Sequence, residues 1–215
     1  MKSFFVSWIF LLIILPFFGC NNNDQLNTKY NYMNNNQNTD TIVLGAGCFW
    51  CVEAIFQQVK GVAEVIPGYC NGHTTEPTYK EVCSGNSGHV EVARVIFDSS
   101  VVDFSYLLEV FWKTHDPTTL NRQGNDVGSQ YRSGIYCLNN DQLDIANEFK
   151  NKLNEEMVWK NDIVTEIEML DVFYPAENYH HNYYNNNKSQ GYCQFIIQPK
   201  LEKFHKVFGI LDTLK

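Results

Sequence analysis

Residues 41–62 read TIVLGAGCFWCVEAIFQQVKGV, and the order of patterns in them decides the fold class. The apolar run TIVL has the length and β-branched character of a short buried strand. Gly45-Ala46-Gly47 supplies a turn, after which Val52, Ile55, Phe56 and Val59 recur at helical spacing until Gly61 closes the pattern. A strand, a glycine turn and a helix in immediate succession open an α/β unit.

The rest of the chain extends that unit. VAEVIPGYC predicts a strand ending at Pro67-Gly68. HVEVARVIFD alternates, with Val90, Val92 and Ile96 on one side and Glu91, Ala93, Val95 and Phe97 on the other. Its mixed second face predicts a strand covered on both faces. FSYLLEVFWKTHD places Phe104, Leu107, Leu108, Phe111 and Trp112 on a helical stripe stopped by Pro117. NRQGNDVGSQYRSG is a polar loop leading to the strand IYCL; DQLDIANEFKNKLNEE predicts a surface helix and DIVTEIEMLDVF one further strand. From Tyr174 to Gln198 the chain is rich in Tyr, His and Asn, with little period. About five strands intermixed with helices predict an α/β (α+β) two-layer sandwich.

The 215 residues, 44% of them hydrophobic, suffice for one buried core. A net charge of −8 without a basic stripe argues against a nucleic-acid partner. Residues 1–20, MKSFFVSWIFLLIILPFFGC, join a basic Lys2 to an apolar run that is short for a membrane span and end in Gly19-Cys20. They resemble a bacterial lipoprotein signal, which predicts export with Cys20 as the lipidated residue; an uncleaved anchor is the alternative. Nine of the twenty residues from 21 to 40 are Asn, the composition of a disordered tether, so the folded domain is expected over 41–215.

The seven cysteines pose the chemical question. A structural zinc site wants four Cys or His ligands, but Cys48 and Cys51 form the only Cys-x-x-Cys, and the adjacent His180-His181 suits chelation poorly. No metal is therefore expected. As a redox pair the same residues make sense. A thiol at a strand-to-helix turn faces unpaired N–H groups that stabilise a thiolate, and the neighbouring glycines suggest open access to it. A helical i,i+3 spacing puts Cα atoms about 5 Å apart, within the disulfide window. Phe49 and Trp50 offer an apolar cup for a methyl group, or simple core packing. A methyl-bearing sulfoxide suits this cup better than the disulfide of another protein, the substrate of a thiol-disulfide oxidoreductase. Reducing a sulfoxide needs an acid to protonate the leaving oxygen. Glu91, on an otherwise apolar strand, is the candidate, its alternative being a solvent-facing edge position. Tyr79 and Tyr131 are possible further donors.

GCFWCVEAIFQQVKGV, GYCNGHTTEPTYKEVCSGNSGHVEV, DPTTLNRQGNDVGSQYRSGIY and YPAENYHHNYY…GYC follow in that order, and together they resemble the A-type peptide methionine sulfoxide reductases over residues 42 to about 208. The resemblance implies Cys48 as nucleophile, Glu91 as proton donor, Phe49 and Trp50 around the substrate methyl, and Tyr79, Asp126 and Tyr131 on the polar side. It also implies the S epimer of methionine sulfoxide, free or in proteins, as substrate, with no bound cofactor. The implied fold has a mixed sheet, a ferredoxin-like element and an irregular C-terminal segment. Cys48 would pass through a sulfenic acid to a disulfide with Cys51, favoured by spacing, or Cys193, and a thioredoxin-like donor would reduce it. A monomer is expected. Cys70 and His181 depart from the commonest family pattern, and Cys70, Cys83 and Cys137 have no assigned role.

Overall fold

A computed structural model of the chain describes residues 38–209; the signal-like segment with Cys20, and the Asn-rich stretch through residue 37, lie outside the described residues. The first strand, β1 (Thr39–Ala46), starts two residues ahead of the expected Thr41. It leads through Gly47-Cys48 into α1 (Phe49–Phe56), then β2 (Val62–Cys70), α2 (Tyr79–Cys83), β3 (Val90–Asp98) and α3 (Phe104–Thr114). A two-stranded hairpin, β4 (Arg122–Gln123) with β5 (Asp126–Val127), occupies the polar loop before β6 (Ser133–Cys137). After α4 (Asn140–Glu155) come β7 (Glu166–Met169), β8 (Phe173–Pro175), α5 (Tyr183–Asn186), a π-helical turn (Cys193–Ile197) and α6 (Gln198–Phe208).

The main sheet has the order β7-β6-β1-β3-β2-β8. β6 and β7 run parallel, while the other neighbours are antiparallel, so the sheet is mixed as expected. Its central part, β6-β1-β3-β2 with α1 and α3 as crossovers, is the ferredoxin-like element. Two apolar layers flank it, as the patterning of β3 predicts. Ala93, Val95 and Phe97 join the large core with α1 and α3, while Val90 and Val92 meet Val43, Cys70 and Tyr136 on the opposite face.

Three further details differ from the sequence reading. β2 continues through Pro67-Gly68 to Cys70, because β8 pairs only with Gly68–Cys70 and the Pro67 carbonyl accepts the Ala176 N–H at 2.9 Å; the missing proline N–H therefore breaks no ladder bond there. DIVTEIEMLDVF makes two strands, β7 and β8, on opposite edges of the sheet. The terminal helix α6 was not anticipated, although Pro199 at its start and left-handed Gly209 at its end mark it.

Candidate active site

The site forms where β1 ends. Gly47 has φ +84°, and a Cβ there would lie 2.6 Å from Gln123 Cβ. At Gly45 a Cβ would crowd Val90 and the Arg132 carbonyl. These glycines admit neighbouring chain; they do not open a path to the sulfur, as had been expected. Cys48 follows as the N-cap of α1, and it keeps only 6% of its surface exposed. The helix it starts is apolar on nearly every side, and seven of its eight residues are buried. Such a helix lies within the core.

Glu91 projects from β3 on the same face as Ala93, and its side is interior, not solvent: it is 1% exposed. Its Oε2 accepts the Phe49 N–H at 3.2 Å, which ties the carboxyl to the first turn of α1. Burial pushes its pKa up to about 8, the Phe49 hydrogen bond pulling the other way and the charge of Asp126 adding to the rise. At neutral pH the group is therefore a carboxylic acid with a proton to give.

Cys48 and Cys51 hydrogen-bond to each other. Burial, then the bond to Cys51, then the charge of Glu91 push the Cys48 thiol up. The bond from Cys48 pulls Cys51 down against its own burial, helped by Lys200. The two sulfurs thus form a coupled pair, its members shifted in opposite directions by the bond between them. The place of Cys48 at a helix N-terminus favours a thiolate, and its burial opposes one. Tyr192, in the C-terminal segment, brings its hydroxyl beside both sulfurs and favours the charged form of each.

Around the thiols stands an aromatic wall. Phe49 lies 6.1 Å from Trp50 and 6.4 Å from Tyr79, between ring centroids. His180 fills the middle, 4.9 Å from Phe49, 5.6 Å from Trp50 and 4.5 Å from Tyr79. Its Nδ1 accepts the Trp50 indole N–H at 3.1 Å, so its proton resides on Nε2. Burial lowers the His180 pKa and keeps the ring neutral. Tyr183 stacks on Trp50 at 3.6 Å with planes 6° apart, and Tyr192 meets the same indole edge-on at 5.7 Å. Glu177 anchors the far side, accepting from Tyr69 Oη and from the Tyr79 N–H, each at 2.8 Å.

The remaining sequence candidates gather here as well. Tyr79 starts α2 under a capping box formed by Thr78 and Glu81. Burial pushes the hydroxyls of Tyr79 and Tyr131 up, with Glu91 adding to both, so they remain donors. Asp126, on the small hairpin, accepts from Tyr192 Oη at 2.7 Å. Cys193 is fully buried at the start of the π-helical turn, its pKa raised by burial and then by Cys51. The other thiols stand apart: Cys70 in the second apolar layer, Cys137 buried on β6, and Cys83 exposed beside the Tyr79 hydroxyl. All six cysteines among the described residues are free thiols.

Sequence reasoning missed Tyr192, His180, Glu177, Tyr183 and Glu53. Four of these lie in the tail without period, where only the fold reveals direction. Glu53 left a signal: it is the one charged residue in a helix that is otherwise apolar, which demands a buried partner.

The family model for peptide methionine sulfoxide reductase matches residues 40–210. Peptide methionine sulfoxide reductase MsrA of Chromobacterium violaceum is 51% identical over 169 residues, covering 79% of this chain and 96% of that protein. Among solved structures, reduced Mxr1 of Saccharomyces cerevisiae superposes with a TM-score of 0.69 at 32% identity, over 74% of this chain and 91% of Mxr1. Mxr1 in complex with Trx2 matches with a TM-score of 0.50 at 25% identity, over 66% of this chain and 84% of that one. With a family model matched over nearly all the described residues, and relatives of like sequence and fold, the chain belongs to the A-type peptide methionine sulfoxide reductase family and reduces methionine sulfoxide.

Proposed function

We propose that Cys48 attacks the sulfur of methionine S-sulfoxide, free or in an oxidised protein, while Glu91 protonates the departing oxygen. The proton of Cys48 first crosses the hydrogen bond to Cys51, which puts the thiolate where it reacts. The sulfoxide oxygen ends on Cys48 as a sulfenic acid, methionine leaves with its sulfur reduced by two electrons, and Glu91 regains a proton. Phe49 and Trp50 hold the methyl group, and Tyr79, Tyr131 and Asp126 line the polar side. What carries this reading is Glu91: a carboxyl buried to 1% exposure, held at 3.2 Å by the amide of Phe49 and pushed up to about 8.

Cys51 then attacks the sulfenic sulfur, releasing water and forming a disulfide with Cys48. Cys193 exchanges into that disulfide, and a thioredoxin-like reductant supplies two electrons and two protons. Geometry supports the order: Cys51 stands one turn from Cys48, its N–H bonded to the Cys48 carbonyl at 3.0 Å, while Cys193 lies buried in the same core. The Trx2 complex of Mxr1 supports the class of reductant. Export as a lipid-anchored monomer through Cys20 completes the reading, and the mass of the mature N-terminus tests it.

The test is an assay of the purified chain with the two separated sulfoxide epimers. Cys48→Ser should be silent. Cys51→Ser should complete one reduction per chain and recycle slowly with thioredoxin, whereas Cys193→Ser should still form the Cys48–Cys51 disulfide. Full thioredoxin-driven turnover in Cys51→Ser would transfer the resolving role to Cys193.

A further inference from the structure

Glu53 is the one carboxylate of α1, and burial to 2% exposure is costly for such a group unless its oxygens are used. Both are. Oε1 accepts the N–H of Asn182 at 2.7 Å and Oε2 that of Tyr183 at 3.2 Å. Two consecutive amides held by one rigid carboxylate fix both the position and the rotation of the chain at that point. Asn182 is in the left-handed region, φ +53°, so the chain reverses there before α5 begins. The ring delivered by this turn is Tyr183, stacked on Trp50 at 3.6 Å.

Trp50 is three residues from Glu53 on the same helix, so both ends of the construction rest on α1. The indole is held at its nitrogen by His180 and on its face by Tyr183. Phe49, His180 and Tyr192 reach it from other sides. Of these neighbours, Tyr183 is the one whose own backbone amide is tied back to α1.

We propose that Glu53 is a positioning residue for substrate binding: by clamping the Asn182–Tyr183 backbone to α1, it sets Tyr183 against Trp50 and so shapes the wall that receives the sulfoxide methyl. The proposal rests on the reading of Trp50 as part of that wall. It places Glu53 outside the redox chemistry, since it touches neither thiol nor Glu91 through any bond described above. Its loss should therefore change affinity and leave the chemical step in place.

The experiment compares Glu53→Gln, Tyr183→Leu, the double variant and Trp50→Ala in the full chain, by steady-state kinetics on a blocked methionine S-sulfoxide. Gln keeps one accepting oxygen and turns an amide donor toward the second N–H, so the clamp opens on one side. An aromatic pair is worth roughly 0.5–1.5 kcal/mol, so Glu53→Gln and Tyr183→Leu should each raise KM about threefold to tenfold, with kcat within about twofold. The double variant should be no worse than Tyr183→Leu, because both changes remove one device. The rate at which hydrogen peroxide oxidises the Cys48–Cys51 pair should stay at the wild-type value in Glu53→Gln; a general loosening of α1 would shift it.

A wild-type KM in either single variant, a loss confined to kcat, effects that multiply in the double variant, or an altered peroxide rate would each overturn the proposal. Should Glu53→Gln fail to fold by circular dichroism, Tyr183→Leu decides alone, since it leaves the buried carboxylate in place. Trp50→Ala separates the two levels. If it raises KM while the other variants do not, the clamp fails and the wall stands; if it leaves KM unchanged, the wall itself is wrong and the clamp falls with it.

Discussion

At the scale of single residues the proposed reaction turns on the proton of Glu91. A carboxyl with an ordinary pKa would be ionised at pH 7 and would both repel a thiolate and have nothing to donate. Burial lifts Glu91 to about 8, so it keeps its proton through neutrality and loses it above that point. Single-turnover reduction followed by stopped flow should accordingly hold up to about pH 8 and then fall, by a factor of about ten per unit once ionisation dominates. Glu91→Gln should slow the step by about a hundredfold or more and remove that alkaline limb; a limb surviving in the variant would assign it to another group. This much was open to sequence reading: a lone acid on an apolar strand, and two thiols at i and i+3 where a strand turns into a helix. The burial of Cys48 was not, because it depends on how deeply the tail covers the sulfur. Tyr192 and His180 were likewise hidden, since nothing in a run of Tyr, His and Asn says which ring turns inward.

At the scale of elements the site depends on one close contact between segments 76 residues apart in number, the turn at Gly47 and the hairpin strand at Gln123. Gln123 is fastened in its turn, its side chain bonding the Asp116 N–H and carbonyl at 3.2 and 3.0 Å. A methyl at Gly47 would meet Gln123 at 2.6 Å while the backbone there is already left-handed, at φ +84°. Gly47→Ala should therefore cost about 1–3 kcal/mol in denaturant unfolding and lower activity by shifting Asp126 and its bond to Tyr192; an unchanged midpoint would mean the hairpin yields freely. The glycine turn was legible, its purpose was not: a sequence gives the flexibility of Gly47 but not the neighbour that needs its missing side chain. The division of DIVTEIEMLDVF into β7 and β8 has a similar cause. Its alternation changes phase at Met169-Leu170, and just there the Leu170 N–H bonds the Cys137 carbonyl at 2.8 Å and that of Asp171 bonds Asn71 at 3.2 Å. Those tertiary bonds end one strand and carry the chain across to the other edge.

At the scale of the whole molecule, a site that keeps an acid protonated must weaken the fold that holds it, and this can be measured without any substrate. Glu91 has an unfolded pKa near the ordinary 4.5 and a folded one of about 8. Between those values the native state binds the proton and the unfolded state does not. Stability from this group is thus fully present at acid pH, declines as pH rises through the window, and is constant again above about pH 8. Three or so pKa units at about 1.4 kcal/mol each make the loss on the order of a few kcal/mol, a sizeable part of a typical 5–15 kcal/mol. Glu53, also raised by burial, to about 7, slopes the same way, whereas buried His115, lowered to about 4, slopes oppositely between pH 4 and 6.5. A single pH profile of the wild type therefore mixes all three. The difference between wild type and Glu91→Gln does not, because the other two are common to both proteins. Under reducing conditions the two should melt within about a degree or two of each other at pH 5, where Glu91 is a neutral near-isostere of Gln. By pH 8.5 the variant should melt higher, by roughly 5–10 °C. Parallel melting curves across that range would show that burial does not hold the proton on Glu91, and a carboxyl already ionised at neutral pH cannot be the acid that releases the sulfoxide oxygen.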